Sequence, residues 1–272
     1  MNWRPLPSGI PSAWPLNFKN YSSIPHGCRD TGTSHGRFSI GNPIMIYEKP
    51  IYRPMGDRSL LVELGDEIHM TVHERVRRLF LAVQQAPPNT LLDAVPGYCS
   101  LLLVFDPLTT TSDKIRKTID DLFHDLDEFT LPEPANIEIP VIYGGEYGPD
   151  LTWVAEYHKT TPEDIIFRHI KNSYHVYMIG FIPGFSYMGE LAQNLETPRK
   201  KTPRTAVPRG SVGLAQKQTG IYPSQSPGGW QIIGRTPLNL FDPPKNPPSL
   251  LKMGDQVRFF RITEEEMNHW HL

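Results

Sequence analysis

The sequence predicts an α+β chain, a small α/β unit followed by a β-barrel, on three observations. Between residues 45 and 134 the apolar spacing switches from period 2 to period 3.6 and back, in the order β-α-β-β-α. After Tyr174 the chain becomes short strands separated by Pro/Gly clusters, the pattern of a closed or nearly closed β-barrel. The 28 Pro and 21 Gly among 272 residues interrupt the chain too often for a helical bundle. Hydrophobic residues at 39% and aromatics at 10% suffice for a real core and exclude wholesale disorder. The charges nearly cancel, 27 Lys+Arg against 29 Asp+Glu, so the net charge of −2 attracts neither nucleic acid nor an anionic membrane as a whole. Two cysteines, Cys28 and Cys99, make neither a disulfide framework nor a zinc site. No apolar run reaches the ~18–20 residues that span a bilayer, and the N-terminus lacks a secretory pattern. A soluble, cytoplasmic protein is the expectation.

Residues 1–44 carry Pro5, Pro7, Pro11, Pro15 and Pro25 with Gly27, Gly32, Gly36 and Gly41 and no period, so an extended or disordered tail is expected there. A start at Met45 or Met55 is the alternative. Residues 45–134 form the predicted α/β domain. Ser59–Leu64 reads as a strand, and a helix starts at Gly65-Asp66, with Ile68, Val72, Val76, Leu79, Phe80 and Val83 on one face. Pro87-Pro88 stops it. Leu91–Val95 and Ser100–Phe105 are strands around Pro96-Gly97, and a second helix runs over Ser112–Phe129. This order is that of a split βαβ sheet with helices on one face.

Residues 135–272 form the predicted barrel domain. Ile137–Ile142 is its first strand, and Pro140 suggests a sheet edge. A short helix holds Leu151, Val154 and Ala155. Another is announced by Thr161-Pro162-Glu163-Asp164, with an N-cap threonine and proline at the first helical position. Strands follow at Tyr174–Phe181, Ser211–Gln216, Gly220–Pro223, Trp230–Arg235 and Gln256–Ile262.

Common catalytic signatures, such as a phosphate loop, a G-x-G-x-x-G turn or H-E-x-x-H, are not found. His69 and His73, four apart on the first helix, have no third ligand and read as a solvated face rather than a metal site. The acidic run Glu264-Glu265-Glu266 reads as a solvated chain end. The unusual stretch is 180–242. Phe181, Pro183, Gly184, Phe185 and Tyr187 form a rigid apolar loop, expected to wall a pocket. Arg199, Lys200, Lys201, Arg204 and Arg209 then crowd proline-stiffened turns, which suits one small anion such as a carboxylate or phosphate. A charged solvent-facing turn is the alternative. Ser211, Gln218, Thr219, Tyr222, Gly228, Gly229, Trp230 and Arg235 alternate polar donors with rigid apolar groups, as pocket linings do. Carboxylates are scarce here, so proton transfer is expected from elsewhere, such as another polypeptide of a complex.

The run Tyr177–Phe185, with Pro198-Arg199, Pro203-Arg204, Val207-Pro208, Gly210-Ser211-Val212, Gln218–Pro223, Pro227–Trp230 and Gly234–Pro237, resembles the allophanate hydrolase subunit 1 family. Val141–Leu151 and Gly254-Asp255 extend the resemblance, which covers about residues 55–264. It implies a cyclophilin-like barrel behind a small α/β domain. It also implies work beside a subunit 2 of related fold and, in the 5-oxoprolinase branch, a lactam-utilising subunit, with ATP used by the complex. Three functions stay open. The first is a subunit of an ATP-dependent 5-oxoprolinase opening 5-oxoproline to glutamate. The second is a KipI-like inhibitor gripping a histidine kinase. The third is a carboxyltransferase part of urea carboxylase or allophanate hydrolase type.

Overall fold

The computed structural model describes residues 45–270, so the tail expected over 1–44 lies outside the described residues. Two sheets each enclose a separate core. The first is four-stranded, made of β1 (Ile46–Pro54), β2 (Ser59–Gly65), β3 (Leu91–Pro96) and β4 (Ser100–Phe105) in the order β1-β2-β4-β3. All its pairings are antiparallel, so β4 lies between the mutually parallel β2 and β3, as in a split βαβ unit. Strand β1 leaves no mark in the sequence pattern, because its side chains are mostly exposed and carry no apolar alternation. Leu60, Val62 and Leu64 of β2 and Leu101, Leu103 and Phe105 of β4 face one side. There they meet both α1 (Met70–Gln85) and α2 (Ser112–His124) through Val72, Val76, Leu79, Val83, Ile115 and Ile119. Both helix boundaries differ from expectation. Strand β2 runs through Gly65, and α1 starts at Met70 because the His69 side chain caps the Thr71 N–H. α2 ends at His124, and a 3₁₀ turn over Leu126–Glu128 still delivers Leu126 to the core.

The second sheet draws on β5 (Asn136–Tyr143), β6 (Ser173–Ile179), β7 (Ser186–Gly189), β9 (Ser211–Ala215), β10 (Gln218–Ile221), β12 (Gln231–Arg235) and β13 (Gln256–Arg261). They form a closed barrel in the order β10-β7-β6-β13-β5-β12-β9, with β9 returning to β10. Strands β8 (Arg204–Val207) and β11 (Ser226–Gly228) form a separate ribbon. Helices α3 (Leu151–Tyr157) and α4 (Pro162–Lys171) bury Leu151, Val154, Ala155, Ile165 and Ile166 in the barrel core.

β5 is not an edge strand: it pairs with β13 on one side and β12 on the other. The Val141 carbonyl accepts from Ile262 N–H at 3.0 Å, toward the β13 side. Alternation along the strand therefore turns the Pro140 nitrogen toward β12, whose pairing begins only at Ile142. β7 replaces part of the expected rigid loop; at four residues between Gly-rich turns it is too short to show a period. The run Glu264–Glu266 opens a short helix, α5 (Glu264–His269), under a Thr263–Glu266 capping box. No helix among the described residues is long and apolar enough to cross a membrane.

Candidate functional site

The stretch 180–242 does not converge on one pocket; it divides between the two ends of β12. At the Trp230 end, an aromatic wall forms as expected. Phe185, Tyr222 and Trp230 are buried together, and Phe185 meets Tyr222 and Trp230 edge-on at centroid distances of 5.0 and 5.5 Å. Tyr187 packs on Phe185 (4.7 Å) and Trp230 (5.9 Å). Phe181 lies over Phe185 at 5.8 Å, is 62% exposed, and stands at a left-handed φ of 69°. Pro183 is exposed. Gly184, at φ +83°, lets the loop close on Phe241, whose Cβ would lie 2.6 Å from an added Cβ.

One member of the wall, Tyr98, comes from the loop between β3 and β4 and is absent from the sequence expectation. Its hydroxyl accepts from Gln218 Nε2 at 2.6 Å, and its ring lies 6.0 Å from Tyr187 and 5.8 Å from Tyr177. The α/β unit thus contributes directly to the aromatic wall of the barrel. No spacing signal connects residues 120 apart, so only the tertiary structure exposes this one. Exposed Arg199 stands beside the wall, and its charge acts on Tyr98, Tyr187 and Tyr222. Burial nonetheless pushes the Tyr222 phenol up to about 12.

Arg204 and Lys200 are engaged differently from expectation. Asp150, 5% exposed, accepts from Arg204 Nη2 at 2.7 Å and Lys200 Nζ at 3.1 Å through Oδ1. Its Oδ2 takes the Ile232 N–H at 2.7 Å. Burial pushes the carboxyl up, but the Arg204 bond, the Ile232 N–H and Lys200 outweigh it and hold Asp150 below its ordinary range. Two of the five expected anion-binding cations are therefore already held by a carboxylate that ties their loop to the start of α3. Three residues beyond Asp150, Trp153 turns outward and stacks on Tyr157 at 5.5 Å. Trp153, Pro198, Arg199, Lys200, Lys201, Thr202 and Gln231 line a cleft of about 600 Å³.

The remaining expected residues lie elsewhere. Arg235, at the far end of β12, places its guanidinium 5.3 Å from the Tyr147 ring centre. It borders Gly210, beside Arg209 and the buried Ser211, whose hydroxyl has no hydrogen-bond partner among the described residues. Five residues of nearly extended chain, up to about 16 Å, separate Arg209 from Arg204. Thr219 is fully buried in the barrel, hydrogen-bonded to His169 Nε2 at 3.0 Å, while His169 Nδ1 meets the Tyr143 hydroxyl at 2.8 Å. His69 and His73 do not converge. His69 caps α1, whereas buried His73 bonds Tyr177 O (2.6 Å) and His175 (3.2 Å) between the two sheets.

The two site glycines are not equivalent. A Cβ on Gly228 would sit 2.3 Å from the Tyr222 hydroxyl, whereas one on Gly229 would meet Pro203 Cγ at an ordinary 3.6 Å. Gly228→Ala is therefore expected to cost about 1–3 kcal/mol by overpacking, and Gly229→Ala less than about 0.5 kcal/mol. Urea unfolding of the pair checks this; equal stabilities would show that Tyr222 yields freely.

The family model for the carboxyltransferase domain, subdomain C and D, matches residues 50–251. The chain is 37% identical over 222 residues to the B-type subunit of 5-oxoprolinase from Bacillus subtilis (strain 168), covering 78% of this chain and 92% of that protein. It is 60% identical over 124 residues to the B-type 5-oxoprolinase subunit of Haemophilus influenzae, covering 46% of this chain and 58% of the relative. The solved structure of TTHA0988 superposes with a TM-score of 0.67 at 36% identity over 76% of this chain, which spans only 40% of that longer protein.

Proposed function

Because this chain belongs to the carboxyltransferase domain family, subdomain C and D, we propose that it is the B-type subunit of an ATP-dependent 5-oxoprolinase opening 5-oxoproline to glutamate. The observation that carries the reading is Arg199, without an ion pair among the described residues, beside the Tyr98–Tyr187–Trp230 wall. The 5-oxoprolinase relatives support it. A lactam bearing a carboxylate needs an apolar surface for its ring and a guanidinium for its charge. An amide oxygen accepts phosphate poorly, so cations that neutralise the phosphoryl group are needed as well.

The acid–base part of the reaction belongs, in this reading, to two partners: one of subunit 2 type and one lactam-utilising. Asp150 is tied to Arg204, Lys200 and the Ile232 amide, and Glu190 accepts from Tyr177 at 3.4 Å. Neither is placed as a free base. The site works in the cytoplasm, and the chain divides near residue 135 into the two units whose cores are separate. Phe181, exposed on its strained turn, is the observation that favours the second reading, a kinase inhibitor with an apolar anchor.

Co-expression with both presumed partners, followed by assay of ATP-dependent glutamate release, tests the proposal. Turnover is expected from the complex and not from this chain alone. An inactive, fully assembled complex would overturn the oxoprolinase reading, and full turnover by the single chain would overturn the division of labour.

A further inference from the structure

We propose that the cleft between α3 and the 198–202 loop is a nucleotide site, with the base on Trp153 and the phosphates on the loop cations. The inference deepens the reading above, and it rests on that reading for the choice of adenine.

The cleft's volume of about 600 Å³ falls within the ordinary range for small-molecule sites. Its lining is chemically two-sided. Trp153, 42% exposed and backed by Tyr157 in a near-parallel stack (16°), offers a large aromatic surface held in place. The same cleft is lined by Arg199, Lys200 and Lys201 in succession, on a loop pinned by the Lys200 N–H bond to Gly229 O (2.8 Å) and by the Asp150 ion pairs. Asp150 engages Lys200, but Arg199 and Lys201 have no ion pair among the described residues. Two uncompensated cations beside an aromatic plane match a planar base carrying a chain of phosphates better than they match a small carboxylate. Gln231 forms the floor. Its Nε2 donates to Pro198 O at 3.1 Å, while its enclosed Oε1 accepts no hydrogen bond from the described residues. The exocyclic amino group of adenine is the kind of donor that oxygen lacks, and reaching it requires the Gln231–Pro198 contact to open. Arg199 lines this cleft and its charge also reaches Tyr98 and Tyr187 of the wall, so a phosphate in the cleft and a carboxylate at the wall would draw on the same guanidinium.

The test is calorimetric titration of the purified full chain with ATP, adenosine and inorganic tripolyphosphate, in low and high salt. Expected is one ATP site, weakened by salt, with tripolyphosphate binding more weakly than ATP. Trp153→Ala should weaken ATP at least about fivefold, as loss of a base stack does, and leave tripolyphosphate unchanged. Lys201→Ala should weaken both phosphate ligands and leave adenosine unaffected. No ATP binding, tripolyphosphate binding as tight as ATP, or an unaltered Trp153→Ala would each overturn the proposal. The same variants in the reconstituted complex separate the two claims. ATP binding without glutamate release removes only the oxoprolinase reading, and glutamate release with no ATP bound by this chain removes only the nucleotide site.

Discussion

Lowering the pH from 7 to 5 is expected to remove about 5 kcal/mol of folding stability, a loss comparable to the whole of many domains' margin. Three buried histidines are the cause. Burial holds His169 and His73 down at about 3, and His175 at about 4. For His73 the neighbouring His175 adds to the effect, and for His175 the Arg77 charge does. In the unfolded chain each returns to about 6.5. Between those limits the unfolded state binds more protons, so the stability is fully present above about pH 6.5 and is lost as pH falls toward the folded values. Near pH 5 the three together contribute a slope of about 4 kcal/mol per pH unit. Urea unfolding at pH 7, 6 and 5 measures this. His169→Gln keeps a donor and an acceptor for Tyr143 and Thr219 but does not titrate, so it should lower the slope near pH 5 by about a third. A flat profile in the wild type, or a slope unchanged in the variant, would show that these side chains charge without unfolding.

Asp150→Ala is the single substitution expected to do most damage near the site. It removes the acceptor for Arg204, Lys200 and the Ile232 N–H at once. Breaking a buried ion pair costs about 3–5 kcal/mol, but the Arg204 side chain is 26% exposed, so about 2–4 kcal/mol is expected. That corresponds to a fall in Tm of roughly 5–15 °C for a chain of this size. Lys200→Ala leaves the Arg204 pair intact and should cost under about 1 kcal/mol. Arg204→Lys keeps a cation for Asp150, so its effect on stability is expected to be small. The pH dependence runs in a defined direction. The carboxyl is held below its ordinary value, so the Asp150 contribution is present above about pH 4 and disappears as pH falls through the folded value. Thermal unfolding of Asp150→Ala at pH 7 reads the full loss; a Tm equal to wild type would mean that the two cations find other partners.

Features set by neighbours along the chain are legible in the residues themselves. The apolar stripe Val72, Val76, Leu79 and Val83 gives α1, and Thr161-Pro162 announces α4, because helix faces and caps depend on residues three or four apart. Phe185 is expected beside Tyr187, since a short rigid turn holds aromatics two residues apart close, but only the fold packs that pair against Trp230, more than 40 residues away. Which charges stay free is a matter of the folded arrangement. Asp150 lies 54 residues from Arg204, and only closure of β12 against β5 brings it under the 198–204 loop. The same holds for Tyr98 on Gln218, 120 residues away, and for His73 on His175, 102 residues away. A cluster of arginines in sequence looks like an anion site whether or not a distant carboxylate already fills it. Hydrogen bonds and ion pairs act over a few ångströms of space, and chain separation says nothing about who arrives there.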